Sequence, residues 1–455
     1  MLDEVCANNG GSRAWWLSSL ASRDPNRSLF FERCCKLLLV KKTLAEGEKK
    51  ITTHDGTMAK VIRKLIRAQS VSSEVKCTRK LVEVIKDRAR PWVTLLLHVR
   101  LLLQRCLARK APKEIKEKVI LLDTSVSSDP QSGAAILNGR YCDRYYCGWS
   151  DYFSENEKDR VRYLPTLLFF KNQKEGIRIM RECDETFLIP DDYLRWHDYL
   201  WILGQVFKML VLRRPKLRLA GVSISLFLRD EQHERFSDWS GILGLLCFRF
   251  AQRATEAGLK VERLVDWNEN QAVDRGLVLG FHHFHPNTKV VAYKPYMLAE
   301  GPHLCPSANE VAAQVHPREA WVIGRGYRDE LSAMKSGVKV NVGPALRYEL
   351  IYDKTRECNE RVDLLVGLPI GANECKGMLA LIYEFTSLIP KELQINIKPH
   401  PFMPREVLMQ SGAADHSDWT WVEGEFLDHL SRARLFCTNG SSTAMQALAA
   451  GVPVL

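Results

Sequence analysis

Two short stretches carry residue types that handle phosphate. Lys398-Pro399-His400-Pro401 sets an ammonium and an imidazole on a stiff turn, and Asn439-Gly440-Ser441-Ser442-Thr443 sets backbone amides and three hydroxyls ahead of the helix former running from Ala444 to Ala450. Cations attract an anion directly. A hydroxyl-rich helix start does so through unsatisfied N–H groups and the positive end of the dipole. Ser and Thr are also ordinary helix caps, so the second turn alone says little. A His-Pro turn closing one strand and a Ser-Ser-Thr turn closing the next point at one crevice, and that pairing favours a phosphate or nucleotide. Glu423, in the loop Trp421 to Glu425 between the two motifs, is placed to meet a nucleobase or ribose.

A carboxylate able to take a proton stands elsewhere. Glu269 follows an expected strand, Val261 to Val265, across a short turn. That puts it at the carboxyl rim of a sheet, where open α/β sheets place their ligands, facing the cleft in which an acceptor hydroxyl would lie. It reads as a general base, with the acidic first turn of the following helix as the competing role. Asp266, Asp123 and Asp129 are reserves. Trp15 and Trp16 offer ring faces for a sugar, or else anchor a loop to the core. Arg140 and Arg144 lie in the aromatic-rich tract 139–149, which reads equally as an acceptor surface or a core cluster. No Asp-x-Asp pair and no repeated Cys or His spacing suggests a metal, and neither metal nor cofactor is expected.

These residues resemble those of the nucleotide-sugar glycosyltransferases of the GT-B class, particularly the bacterial surface-carbohydrate and sialyltransferase-like branch. That branch carries Lys-x-His-Pro and Ser-Ser-(Ser/Thr) motifs, then a small-residue helix and Gly-x-Pro-Val; Lys398, His400, Pro401, Ser441, Ser442, Thr443, Gly451 and Pro453 match in turn. Trp267 to Gly276 looks like the Tyr-Glu-Asn-Gln segment of the acceptor half. The resemblance covers about residues 118–455. It implies glycosyl transfer without a metal, from a nucleotide sugar (CMP-sugar favoured, UDP-sugar next) to a cell-surface polysaccharide or lipopolysaccharide acceptor. A CDP-alcohol polymer phosphotransferase and a non-catalytic nucleotide-binding scaffold are the alternatives.

The elements that position these residues follow from periodicity. Apolar runs at Lys118–Asp123, Leu164–Phe170, Val261–Val265, Lys289–Tyr293, Glu319–Ile323 and Val338–Val342 alternate with helical patterns at Tyr199–Leu212, Ile242–Ala257 and Gln271–Phe284, the signature of a parallel sheet. A second series starts at Asp363 and takes in Ile395–Ile397 and Arg434–Thr438. The expected class is α/β, with two Rossmann-like doubly wound domains in the GT-B manner: residues 1–355 on the acceptor side, and 356–455 as a donor domain cut short.

Of 455 residues, 46% are hydrophobic and 26% charged, enough for full cores. The net charge of +11 is unevenly spread: residues 1–117 hold 25 Lys and Arg against 12 Asp and Glu, or +13, leaving −2 for the rest. Within that part, 78–117 reads as a basic helical insertion. Residues 91–110 form a Leu-rich helix starting at Pro91-Trp92 and punctuated by Arg100 and Arg105, suited to an anionic membrane surface or, alternatively, to a core. Thirteen unpatterned cysteines suggest free thiols, and no signal peptide or spanning segment is evident. The expectation is a cytoplasmic protein peripheral to the inner membrane face, with a nucleotide-sugar donor and a glycan or lipid-linked glycan acceptor as partners and no nucleic acid.

Overall fold

The computed structural model describes residues 12–455 except 23–27, 128–133, 138, 144, 168–169, 171, 213–215, 297–304, 352–361, 387, 389–392 and 402. The chain divides into two compact units. One comprises Met1–Val126, Glu155–Lys294 and Glu300–Gly343; the other comprises Ser127–Ser154, Pro295–Ala299 and Pro344–Leu455.

The first unit opens with a small α/β piece: α1 (Phe30–Ala45), β1 (Lys50–Thr53), α2 (Gly56–Gln69) and β2 (Glu74–Cys77), the strands parallel. Asp55 starts α2 by accepting the Thr57 and Met58 amides, and Val61, Ile62 and Leu65 fall on its buried side. Next comes α3 (Leu81–Ala108). Sequence reading starts this helix at Pro91; the structure starts it ten residues earlier, where the Glu83 carboxylate accepts the Lys80 amide at 2.8 Å. Pro91 therefore sits inside the helix, costing it one amide donor while its ring is buried.

The main sheet is built from β3 (Val119–Val126), β4 (Val161–Leu167), β5 (Val261–Trp267), β6 (Lys289–Lys294), β7 (Glu319–Val322) and β8 (Lys339–Val342). All are parallel, in the order β8-β7-β6-β5-β3-β4. Around it lie α4 (Trp196–Leu210), α5 (Ser225–Arg235), α6 (Trp239–Glu256) and α7 (Ala272–Phe284). Val119, Ile120, Leu121 and Leu122 are all buried, as a strand covered on both faces requires. Helices α6 and α7 meet backbone to backbone: a Cβ on Gly276 would lie 2.0 Å from the Gly244 oxygen, and one on Gly244 would lie 2.2 Å from the Ala272 oxygen.

The second unit holds β9 (Val362–Gly367), α8 (Ala372–Thr386), β10 (Ile395–Lys398), β11 (Trp419–Trp421), β12 (Ala433–Thr438) and α9 (Thr443–Ala449). Its parallel sheet runs β11-β10-β9-β12. The strand period of two splits its core. Leu365 and Phe436 join Leu430, Ala447 and Val452 on one face, while Val366, Ile395 and Ile397 join Cys375 and Leu379 on the other. This is the expected fold class: α/β, with two Rossmann-like parallel sheets in one chain.

Candidate functional site

In the second sheet β9 is the first strand, β10 and β11 lie to one side, and β12 to the other. The order therefore reverses between β9 and β12, and the crevice outside their carboxyl ends is where this fold binds ligands. The Thr438 hydroxyl ties the two ends together by donating to the Gly367 carbonyl at 2.9 Å. Directly there a cavity of about 120 Å³ is walled by Gly367, Lys398, His400, Pro401, Ser441 and Thr443 among others. It is small beside the roughly 300–1,000 Å³ of sites that enclose a whole ligand, so it suits one phosphate-sized group.

Lys398 ends β10 with only 7% of its surface exposed. Burial holds its pKa below the ordinary lysine value, against the opposing pull of Glu425 and Glu423. Gly440 takes a left-handed φ of +63°, which turns the chain out of β12 and into α9. The N-cap of that helix is Ser442, and just before it the Ser441 hydroxyl accepts both the Thr443 amide (3.3 Å) and the Thr443 hydroxyl (2.8 Å). Ser442 makes no side-chain capping bond. Asn439 and Gly440 are exposed on the turn, and Glu423 is exposed with its carbonyl accepting His429 Nε2 at 2.5 Å. Lys398, His400, Pro401, Ser441 and Thr443 thus line one cavity, with Glu423 near enough to influence Lys398 and with Ser442, Asn439 and Gly440 in the adjoining turn.

The first sheet has its own reversal, between β3 and β5. Glu269 follows β5 there. Trp267 Nε1 and Gln271 Nε2 each donate to one of its oxygens at 3.1 Å, and Asp274 accepts the Glu269 and Gln271 amides at 2.9 Å. Asp274 therefore starts α7, the role weighed for Glu269 as an alternative. Asn270, at φ +57°, makes the bend.

Beneath this loop lies a polar cluster that sequence reading found only in part. Burial, then their mutual repulsion, raises Asp123, Asp266 and Asp274 well above the usual carboxylate range. Lys294, at the end of β6, donates to the Asn268 carbonyl (3.1 Å) and side-chain oxygen (2.7 Å). Burial pulls its pKa down to about 8 against the pull of Asp274 and Asp266. The available signal was a lysine closing the apolar run Val290 to Tyr293. The cluster holds the Glu269 loop in place without itself reaching solvent.

The expected acceptor residues are not gathered. Trp15 and Trp16 are each 4% exposed inside the core, with the Arg275 guanidinium over the Trp16 ring, so neither has a face for a sugar. Their place is the core-anchoring one. Arg140 is exposed at the start of a hairpin strand, Arg140–Asp143, and Arg144 lies outside the described residues. Arg105 is not on a membrane-facing surface: it is 2% exposed, bidentate to Asp191 at 3.0 and 2.6 Å and bonded to Gln173 at 3.0 Å.

No family model and no curated protein sequence matches the chain. Solved structures do resemble it. A Staphylococcus aureus MnaA–UDP co-structure is 12% identical over 74% of this chain and 78% of that one, with a TM-score of 0.40. The Neisseria meningitidis UDP-GlcNAc 2-epimerase bound to UDP-GlcNAc is 10% identical over 74% and 82%, with a TM-score of 0.39.

Proposed function

We propose that the chain is a glycosyltransferase using a nucleotide sugar. The observation that carries this is the meeting of Lys398, His400, Ser441 and Thr443 in one small cavity at the strand-order reversal of the second sheet. Lys398, His400 and the hydroxyl-lined turn would hold the departing phosphate. The acceptor is a glycan or lipid-linked glycan of the cell surface. Its hydroxyl oxygen attacks the anomeric carbon, Glu269 takes the hydroxyl proton, and the bond to the nucleotide breaks with its electrons going to the phosphate. A CMP-sugar is the first choice of donor and a UDP-sugar the second.

Calorimetric titration with CMP, CDP, UDP and GDP tests the donor site. His400→Ala should weaken the preferred nucleotide by about 10- to 150-fold, the equivalent of about 1.5–3 kcal/mol for a charge-assisted bond. Glu269→Gln should leave that binding intact and lower turnover by roughly 10²–10⁴-fold. Binding to none of the four nucleotides would overturn the reading. Binding of CDP with transfer of an alcohol phosphate would favour the phosphotransferase alternative, and binding with no turnover on any donor the scaffold.

The same reading places the protein at the inner face of a membrane. Its support is the outward face of α3, where Leu81, Trp92 and Leu103 form one row and Ile85, Leu96 and Leu107 a second, all between 43% and 77% exposed. Both rows repeat every eleven residues. That is close to three turns, so the rows follow the helix axis with little drift. Exposed Lys86 and Arg100 lie on the same helix, matching an anionic leaflet. Among the described residues no helix is long and apolar enough to cross a membrane.

A further inference from the structure

The first unit contains a second concave region that none of the chemistry above uses. Two cavities, of about 690 and 570 Å³, lie side by side among α2, α3 and α5 and share Arg79, Asp87 and Glu234 in their walls. Each is within the roughly 300–1,000 Å³ of small-ligand sites. Together they make a trough along α3 from Val84 to His98, about 21 Å at about 1.5 Å per residue.

The walls carry nine Arg and Lys against six Asp and Glu, and the carboxylates are already engaged. Arg33 pairs with Asp55 and Glu234, Arg79 with Asp87, and Lys36 with Glu32. Asp230 accepts the Thr57 hydroxyl and Asp238 that of Ser19. Among the described residues Lys60, Arg88, Arg90 and Arg229 make no ion pair; Arg235 is close enough to Glu231 to favour its charged form, and its Nε is buried without a hydrogen-bond partner. At one end His98 is fixed by the Ser237 carbonyl oxygen at 2.7 Å and lies 5.0 Å from the Trp239 ring, giving an aromatic wall.

Cations without an ion-pair partner around both cavities call for more than one negative charge on the ligand. The Thr53 and Thr94 hydroxyls in the walls suit sugar hydroxyls, and an aromatic wall suits a pyranose face. We propose that the trough binds an acidic oligosaccharide, a chain of sugars bearing carboxylates.

Titration of the full chain with tetragalacturonate, neutral cellotetraose and the hexanucleotide dT6 tests it. The acidic tetrasaccharide should bind, more weakly at high salt, and the neutral one should not. Lys60→Glu/Arg90→Glu changes two exposed residues with no described ion pair, and should reduce tetragalacturonate affinity at least about tenfold. His400→Ala should leave it unchanged. Equal binding of both tetrasaccharides, tighter binding of dT6, or indifference to the double charge reversal would overturn the site. Nucleotide binding without tetragalacturonate binding removes this site and keeps the transferase reading. Tetragalacturonate binding with no nucleotide binding removes the transferase reading and keeps the trough.

Discussion

At the scale of single residues, one buried carboxylate is held by two arginines. The Asp198 carboxylate, fully unexposed, is gripped by Arg249 and Arg253 and caps α4 through the Arg195 amide. Burial alone would raise its pKa, but the bonds from Arg253, the Arg195 amide and Arg249 outweigh it and bring it down to about 2. A carboxylate depressed in the folded state adds stability that is complete above its unfolded pKa of about 3.9 and fades as pH falls towards 2. Urea unfolding of the wild type between pH 5 and 2 should therefore show a loss that Asp198→Asn lacks. At neutral pH that variant should be less stable by about 1.5–3 kcal/mol, since half-buried Arg249 loses its carboxylate while buried Arg253 keeps Glu256. A wild-type curve with the same slope as the variant's would remove this pair from the acid sensitivity.

At the scale of elements, α6 and α7 interlock because glycines let their backbones touch, and α7 begins at the Glu269 loop. Gly276→Ala puts a methyl group 2.0 Å from a backbone oxygen that cannot swing away. Overpacking of this kind costs about 1–3 kcal/mol, and the shift at the start of α7 should also lower turnover. Unaltered melting and unaltered turnover would show that the helices separate freely. Gly276 could be read in the sequence only as part of a motif, because close approach is decided by a partner helix thirty residues away. The alternating strands and helices were legible, since buried parallel strands leave unbroken apolar runs and β12 ends at a hydroxyl-rich turn. The start of α3 was not: proline usually opens helices, and the Lys80–Glu83 signal is weak. Nor were the buried tryptophans separable from exposed ones, because aromatic pairs serve cores and ligands alike. The Lys-Pro-His-Pro and Ser-Ser-Thr motifs stood out because their chemistry is concentrated in a few consecutive residues. The trough was invisible because its cations come from three helices.

At the scale of the whole molecule, the positive charge sits within residues 1–117 and the apolar stripe of α3 lies in the same part. Vesicles containing anionic lipid should sediment with the protein, and neutral vesicles should do so weakly, because each Lys or Arg near the surface adds about 1 kcal/mol. Leu96→Glu/Leu103→Glu should abolish the association and Arg100→Glu should reduce it; sedimentation that neither change alters would return α3 to a purely internal role. The two units also have separate cores, one around Leu245 and Phe248, the other around Val366 and Phe436. On the proposed assignments a nucleotide would stabilise the second unit, and an acidic sugar in the trough the first. Each ligand then becomes a thermometer for its own half of the chain: heated with one or the other, the protein reports which half lets go first.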